Sequence, residues 1–208
     1  MLARLSYNGT AAFLLANGAL GADAEEYKIR KQLIENQKIE AIIVLPREMF
    51  YATDISVTLW IVGNHKKSKK VKREGQEVVL RDRENEILFI DARTLGDGGA
   101  NEDGYVQLTE ADKQKIASTL FAWQSPDWKS LYHDVPEFCY SATMDEIRLN
   151  DYSLYPSDYI EFIDRDSDID FAAEMEKLHF RLRESVKQQK QALSMLESAM
   201  EEIGYDIE

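Results

Sequence analysis

Two adjacent aromatic residues, Phe50 and Tyr51, stand in a short segment between two apolar runs of the sequence. The runs cover residues 39–45 and 55–62, and continuous apolar runs of this length are typical of strands buried on both faces. The connection is too short for a crossover helix, which predicts that the strands are antiparallel neighbours. Aromatic rings at the end of a sheet could stack on a planar ligand such as a base. The alternative interpretation is that both rings are core residues that cover the end of the sheet, since this would give the same sequence pattern.

Six cations crowd into a short stretch that follows the second apolar run. They are Lys66, Lys67, Lys69, Lys70, Lys72 and Arg73. Such a cluster could contact nucleic-acid phosphates, and each contact would add a salt-sensitive increment to the affinity. The same residues would also suit the solvated tip of a β-hairpin. In either case we expect this stretch to be a polar loop or hairpin tip.

The alternating residues Asp164, Asp166 and Asp168 resemble the first ligands of a calcium-binding loop. The rest of that pattern is missing, because Ile169 stands where the loop needs glycine and Met175 where it needs glutamate. We therefore interpret the aspartates as a solvated acidic hinge and expect no metal site.

Ser130, His133 and Asp134 have the residue types of a hydrolytic triad. A triad is assembled in space from separate elements, so closeness in sequence is no argument for one. The glycine-rich residues 96–99 lack the lysine and Ser/Thr of a phosphate-binding P-loop and do not lead directly into a helix. We find no catalytic residue in this chain.

The framework that positions these candidates is predicted to be α/β. A strand over residues 10–16, a helix over 24–36 and the strand over 39–45 form a strand–helix–strand unit, which predicts a parallel neighbouring pair. The antiparallel strand over 55–62 makes the sheet mixed. Farther along, residues 78–80 and 86–91 read as strands. Thr109 opens a helix whose first turn is acidic, as the helix dipole favours.

The carboxyl-terminal part of the sequence predicts one long helix from about residue 168 to 203, since no proline or glycine interrupts it. Its apolar residues recur at steps of three and four, which is close to a heptad pattern with one stutter. The positions that we expect to contact a partner helix are Leu178, Leu182, Val186, Leu193, Leu196, Met200 and Ile203. A helix of this length cannot bury such a stripe against its own short domain, so it needs a partner.

Composition limits the classes of function. With 208 residues and 44% hydrophobic residues the chain can bury a real core, and its net charge of −13 argues against a protein that wraps nucleic acid by bulk electrostatics. The single Cys139 allows no internal disulfide and fits a reducing compartment. The first twenty residues make a poor signal peptide and are too short to span a membrane. We expect a cytoplasmic protein without a membrane segment.

Taken together, several stretches resemble the modification (M) subunit of type I restriction–modification systems, an adenine-N6 DNA methyltransferase. They include GTAAFLLANGAL from Gly9, IEAIIVLPREMFYATDISVTLWIV from Ile39, ILFIDARTLG from Ile87 and FCYSATMDEI from Phe138. The combination of the second and third stretches is specific, whereas neither alone would be. Ser56, Glu137 and Tyr140 depart from the usual pattern at peripheral positions.

The resemblance implies the carboxyl-terminal half of a Rossmann-like, S-adenosylmethionine-dependent methyltransferase sheet, with its last strand antiparallel, followed by a helical tail. The family's cofactor-binding turn and its Asn/Asp-Pro-Pro-Phe/Tyr motif are both missing here, and no two prolines are adjacent. The whole subunit would use S-adenosylmethionine to methylate adenine in DNA, whereas we expect this chain alone to bind no cofactor and to be inactive. By the same resemblance Phe50 or Tyr51 would stack on the flipped base, with Phe50 the first choice.

The predicted organisation has three parts: a partial methyltransferase domain over residues 1–95, an irregular and helical extension over 96–165, and the coiled-coil-like helix over 166–208. The resemblance implies the specificity (S) subunit, the restriction subunit and DNA as partners. We also expect self-association through an open sheet edge or the long helix. The alternative is a non-catalytic interaction module that binds a partner through its long helix.

Overall fold

The computed structural model describes residues 2–50, 54–73, 75–99, 104–163 and 170–202, with the side chains of residues 197, 199, 201 and 202 left aside. Tyr51, the aspartates at 164, 166 and 168, and Ile203 lie outside the described residues. The chain divides into two compact units, Met1–Ile163 and Asp164–Glu208.

The first unit contains seven strands and four α-helices within its described residues. In chain order they are β1 (Thr10–Ala16), α1 (Ala24–Glu35), β2 (Ile39–Val44), β3 (Val57–Gly63), β4 (Lys69–Arg73), β5 (Gln76–Leu80), β6 (Glu86–Asp91), α2 (Glu110–Gln124), α3 (Trp128–Leu131), β7 (Cys139–Thr143) and α4 (Met144–Leu149). The second unit contains the single helix α5 (Phe171–Glu202).

Five strands form a mixed sheet in the order β1-β3-β2-β6-β7. Strand β3 is antiparallel to both β1 and β2, as the short connection between β2 and β3 predicts, and β6 runs parallel to β2. The prediction that β1 and β2 are neighbours in the sheet is wrong. The two strands run in the same direction, but β3 lies between them and forms hydrogen bonds with both.

Both faces of the sheet are covered, which explains why β2 reads as a continuous apolar run. All six of its residues are buried. Ile42 and Val44 face a core that includes Trp60 and Phe89. Ala41 and Ile43 face a second core built around Trp123 of α2. A strand that is buried on both faces cannot alternate polar and apolar residues.

Residues 96–163 are less separate from the sheet than the sequence predicts. Strand β7 pairs with β6 in the same sheet, and Trp123, Phe138 and Cys139 are buried in the second core. The expected division between residues 95 and 96 therefore does not separate compact units, because the whole of Met1–Ile163 forms one.

The lysine-rich stretch is only partly a loop, because Lys66 and Lys67 precede β4 whereas Lys69–Arg73 form that strand. Strand β4 pairs with β5 in an antiparallel hairpin that forms its own two-stranded sheet. The expected strand at residues 78–80 is thus part of β5. Within the described ranges, every helix is too short or too polar to cross a lipid bilayer.

Candidate functional site

Phe50 lies just beyond the carboxyl end of β2, in the connection to β3, and its side chain is 37% exposed. Neighbouring contacts hold this connection in place. Arg47 Nε donates to the carbonyl of Asp54 at 3.1 Å, and the Val106 N–H donates to the Glu48 carbonyl at 3.0 Å. Phe50 is therefore a part-exposed ring, and described residues on either side of it, Arg47, Glu48 and Asp54, are hydrogen-bonded.

The end of β6 lies at the same end of the sheet, because β6 is parallel to β2 and the Ala92 N–H donates to the Val44 carbonyl at 2.8 Å. There the buried Asp91 accepts from Arg93, with Nε 2.9 Å from Oδ1 and Nη2 2.5 Å from Oδ2. These hydrogen bonds raise the pKa of Arg93 further. Arg93 thus presents a fixed positive charge just beyond β6, at the same end of the sheet as the loop that carries Phe50.

Two backbone N–H groups of the glycine-rich segment after β6 are bonded to carboxylates of this chain. The Gly96 N–H donates to Asp112 Oδ2 at 3.1 Å, and the Gly99 N–H donates to Asp97 Oδ1 at 3.0 Å. The Asp112 carboxylate also caps α2 through Thr109, and hydrogen bonds from Thr109 lower its pKa. These two N–H groups are therefore not free to bind an anion.

The lysine-rich hairpin is only partly a charged surface. Lys66 is 1% exposed and its Nζ donates to the Glu86 carbonyl at 2.5 Å, and burial lowers its pKa to about 7. Lys69 is also buried, with Nζ 3.3 Å from the Asn8 carbonyl. The burial of these two lysines, 1% and 6% exposed, argues against the expectation that they contact phosphates. Along β4, Lys69 is buried whereas Lys70 and Lys72 are exposed, because successive side chains of a strand point to opposite faces.

The other four cations of the cluster differ in their freedom. Lys67, Lys70 and Lys72 are exposed, although Lys70 pairs with Glu77 at 3.2 Å. The Arg73 guanidinium lies 3.8 Å from the centre of the Phe121 ring and donates to Gln124. A phosphate-contacting surface is therefore limited to the three exposed lysines.

A buried polar network, which sequence reasoning missed, ties this hairpin to the sheet. Glu40 and Arg83 are 1% and 0% exposed, and Arg83 Nε donates to Glu40 Oε1 at 2.9 Å. Gln124 Nε2 donates to the same oxygen at 2.6 Å. At its edge Arg81 pairs with Glu86 at 2.6 Å. The available signal was Glu40 itself, since a carboxylate inside an apolar strand requires a buried partner.

The hairpin and the aromatic loop lie at opposite ends of the sheet. Phe50 precedes the start of β3, whereas Lys66 follows its end, and β3 is seven residues long. At about 3.3 Å per residue, the two features are separated by roughly 20 Å along the strand. The two sequence-predicted binding features therefore do not form one site.

The serine–histidine–aspartate combination does not assemble. Asp134 Oδ1 accepts from the Tyr132 hydroxyl at 2.8 Å and from the Ser141 N–H at 2.9 Å, while the Ser130 hydroxyl donates to the Asp127 carbonyl. These are structural contacts. Across the described residues, no group of three His, Cys, Asp or Glu side chains could hold a metal ion.

Helix α5 carries positions that the sequence predicts to contact a partner helix, and that contact stays a prediction. Its residues Leu178, Leu182, Val186, Leu193 and Leu196 are exposed, and Met200 is partly exposed. A stripe of this length on a single helix is the surface that helix–helix partners bury.

Several known proteins are similar to this chain in sequence or in fold. Residues 1–168 match the family model described as N-6 DNA methylase. The HindI type I restriction enzyme methylase subunit of Haemophilus influenzae is 33% identical, over 99% of this chain and 42% of that relative. The MjaIX methylase subunit of Methanocaldococcus jannaschii is 28% identical, over 95% of this chain and 33% of its own length.

The solved structure of a type I restriction–modification methyltransferase subunit from Streptococcus thermophilus superposes with a TM-score of 0.55 at 28% identity. The superposition covers 74% of this chain and 27% of that one. The chain thus spans less than half the length of the relatives that it matches. Since the family model covers most of its residues, the chain belongs to the N-6 DNA methylase family.

Proposed function

We propose that this chain is the carboxyl-terminal portion of the M subunit of a type I restriction–modification complex, with the last strands of a Rossmann-like methyltransferase sheet. The observation that carries the proposal is the match of nearly the whole chain to methylase subunits of such enzymes. In the assembled enzyme the reaction is methyl transfer from S-adenosylmethionine to the N6 atom of adenine in host DNA. Host DNA and the absence of any need for a disulfide both favour the cytoplasm as its location.

The contribution of this chain to that reaction is to hold the target base. Phe50 offers a half-exposed ring at the end of the sheet where parallel strands present their ligand-binding loops. Stacking of one base on an aromatic ring is worth about 1–3 kcal/mol. Arg93, fixed by Asp91, supplies a positive charge at the same end of the sheet as that loop. Tyr51 stays a candidate for the same role by its position in the sequence.

We propose that this chain alone does not bind S-adenosylmethionine. Two N–H groups of the glycine-rich segment are bonded to Asp97 and Asp112, and the sequence lacks the Asn-Pro-Pro motif. The cofactor site and the groups that hold the reacting amine are assigned to the rest of the complete subunit.

Two other surfaces are assigned to assembly. Lys67, Lys70 and Lys72 are the remaining DNA-phosphate candidates, at the far end of the sheet from Phe50. The exposed apolar stripe of α5 is proposed to pack against helices of the S subunit, and the restriction subunit would join the same complex. A second candidate function, an interaction module without a catalytic role, rests on that stripe alone.

The experiment that separates the two functions is complementation. The chain is co-expressed with a polypeptide that supplies the cofactor turn and the Asn-Pro-Pro motif, together with an S subunit, and transfer of labelled methyl groups to DNA is measured. We expect activity only when this chain is present, and a roughly 10- to 100-fold loss for Phe50→Ala, from the energy of one stacked base. Phe162→Ala, a change at a similarly exposed ring, is the matched control.

Activity that does not require this chain would contradict the proposal and favour the interaction module. Equal activity of Phe50→Ala and Phe162→Ala would show that Phe50 does not stack on the base, and it would not contradict the assignment of the chain to an M subunit. A calorimetric titration of the chain alone with S-adenosylmethionine should show no binding. Micromolar binding there would contradict the assignment of the cofactor site to another part of the enzyme.

A further inference from the structure

The glycine-rich segment after β6 has two described arms, residues 95–99 and residues 104–109, which are hydrogen-bonded to each other. The Asp97 N–H donates to the Gln107 carbonyl at 3.0 Å, and the Gln107 N–H donates to Asp97 Oδ1 at 2.9 Å. The same carboxylate oxygen accepts from the Gly99 N–H at 3.0 Å. The Asp97 carboxylate therefore bonds to both arms and holds them together.

The first arm is attached to the sheet and to α2. The Ala92 N–H, just beyond β6, donates to the Val44 carbonyl at the end of β2 at 2.8 Å. The Leu95 N–H donates to the Ala92 carbonyl at 3.0 Å, and Leu95 packs against the second core. The Gly96 N–H donates to Asp112 Oδ2, in the first turn of α2, at 3.1 Å. The arm is thus bonded both to the end of the sheet and to the start of α2.

The second arm contacts the loop that carries Phe50. The Val106 N–H donates to the carbonyl of Glu48, two residues before Phe50, at 3.0 Å. Glu48 has a left-handed backbone conformation, with a φ of 59°. This conformation is unfavourable for a residue with a side chain unless surrounding contacts maintain it. The hydrogen bond from Val106 is such a contact.

The two arms pack closely at Gly96. Its φ is 104°, a conformation that glycine adopts far more readily than other residues. A Cβ atom at this position would lie 2.6 Å from Val106 Cγ1 and 3.3 Å from the Gln107 carbonyl oxygen. Gly98 also has a positive φ, of 66°, but a Cβ atom there would meet nothing within 4 Å. A side chain at Gly96 would therefore displace Val106, whereas one at Gly98 would not.

We propose that this segment positions the base-stacking loop, with Asp97 as the positioning residue; the inference rests on the stacking role proposed for Phe50. The contacts run from α2 through Asp97 and Val106 to Glu48, so they restrain the loop from outside it. An aromatic ring that is already restrained loses less freedom when a base stacks on it, and this strengthens stacking without adding a contact to the base. Phe50 touches the base, and Asp97 acts only through the loop.

Amide hydrogen exchange of the full chain, followed by NMR, tests the restraint directly. Asp97→Ala removes the acceptor of two hydrogen bonds, so exchange of the Val106 N–H should become about tenfold faster. Asp97→Asn keeps an oxygen that can accept both bonds and should retain slow exchange. Gly96→Ala should accelerate Val106 exchange, whereas Gly98→Ala, also at a positive φ, is the matched control and should not. Slow exchange of the β2 amides shows that each variant is folded.

Methyl transfer separates a positioning role from a merely structural one. This chain is co-expressed with the rest of the enzyme and an S subunit, and Asp97→Ala should reduce transfer of methyl groups to DNA by about three- to tenfold, since ordering one side chain has an effect of this size. In the Phe50→Ala background the same substitution should cause little further loss. A residue that acts through Phe50 has nothing left to position once that ring is removed.

Faster Val106 exchange together with a non-additive loss of methyl transfer would support the proposal, and Gly96→Ala decides the outcome if Asp97→Ala does not fold. Unchanged Val106 exchange in the folded variants would overturn the proposal and leave the stacking role of Phe50 untouched. An additive loss in the double variant would also overturn it, because Asp97 would then act independently of Phe50. Full activity of Phe50→Ala would refute the stacking role itself, and this inference with it.

Discussion

Removing the charge of Glu40 should destabilise the first unit severely. The substitution Glu40→Gln keeps the shape of the side chain and an oxygen that can accept from Arg83, but it leaves the Arg83 guanidinium without its buried counter-charge. Both side chains are almost completely excluded from solvent, at 1% and 0% exposed. The change therefore tests the charge itself rather than packing.

The expected loss of stability is about 4 kcal/mol on two independent grounds. Breaking a buried ion pair by neutralising one partner costs about 3–5 kcal/mol, because the other charge stays buried. Coulomb's law gives about 4 kcal/mol for unit charges 4 Å apart at an effective dielectric constant of 20. Total stabilities are only about 5–15 kcal/mol. The variant should thus lose a large part of its stability, and its Tm should fall by about 6–20 °C.

Equilibrium unfolding in urea, followed by tryptophan fluorescence, measures this loss. All three tryptophans lie in the first unit, at positions 60, 123 and 128, so the signal does not depend on α5. Glu25→Gln is the matched control, since Glu25 pairs with Lys28 at 2.6 Å with side chains 80% and 67% exposed. The control pair has the shorter distance, yet its loss should be about 0.5 kcal/mol or less, because water screens it.

A double variant sharpens the test. Replacing Arg83 by Met in the Glu40→Gln background removes the stranded charge and should recover at least half of the lost stability. If Glu40→Gln instead costs no more than Glu25→Gln, the network does not lie in a low-dielectric interior. The account of how the hairpin is attached to the sheet would then be refuted.

Two further predictions concern the hairpin and the terminal helix. Burial lowers the pKa of Lys66 from 10.5 to about 7, so between those values the unfolded chain binds a proton that the folded chain releases. Stability should rise with pH across this window, by about 2–3 kcal/mol between pH 7 and pH 9, and Lys66→Met should remove that rise in urea titrations at several pH values. Leu193→Lys in α5 should weaken co-purification with the S subunit at least about tenfold. Gln188→Lys on the same helix should leave it unchanged. Equal effects of the two substitutions would show that the apolar stripe does not contact the S subunit.

Local signals in the sequence predicted individual elements well. The apolar run of β2 and its short connection to β3 sufficed for two strands and their antiparallel pairing. Thr109 caps α2, and its hydroxyl and the Asp112 carboxylate each accept a hydrogen bond from the other's backbone N–H. In each case the residues that predict the element lie within a few positions of it in the sequence, so local interactions determine the structure there.

Pairing between distant strands was not predictable in the same way. Nothing in residues 10–16 shows that β3, more than forty residues later in the sequence, would separate β1 from β2. Strand β7 is short and only partly apolar, and it becomes a strand because β6 offers an unpaired edge. Register and neighbours depend on which edges are free after the rest of the sheet has formed.

The lysine cluster shows why composition alone misplaces a binding surface. Six cations in sequence look equivalent, but the strand alternates its side chains, and Lys69 points inward while Lys70 and Lys72 point outward. Lys66 precedes the strand and is buried in the polar network. Half of the apparent charge thus contacts the rest of the first unit, and the exposed part of the cluster is correspondingly smaller.

The distance between the two ends of the sheet determines what the exposed lysines can contribute. DNA rises 3.4 Å per base pair, so the roughly 20 Å between the Phe50 loop and the hairpin corresponds to about six base pairs. Even a duplex that ran along β3 would meet Lys70 and Lys72 only that far from a base stacked on Phe50. Their contacts would add salt-dependent affinity without touching the flipped base. Arg93, which is fixed by the buried Asp91, lies instead at the same end of the sheet as the Phe50 loop, because β6 runs parallel to β2.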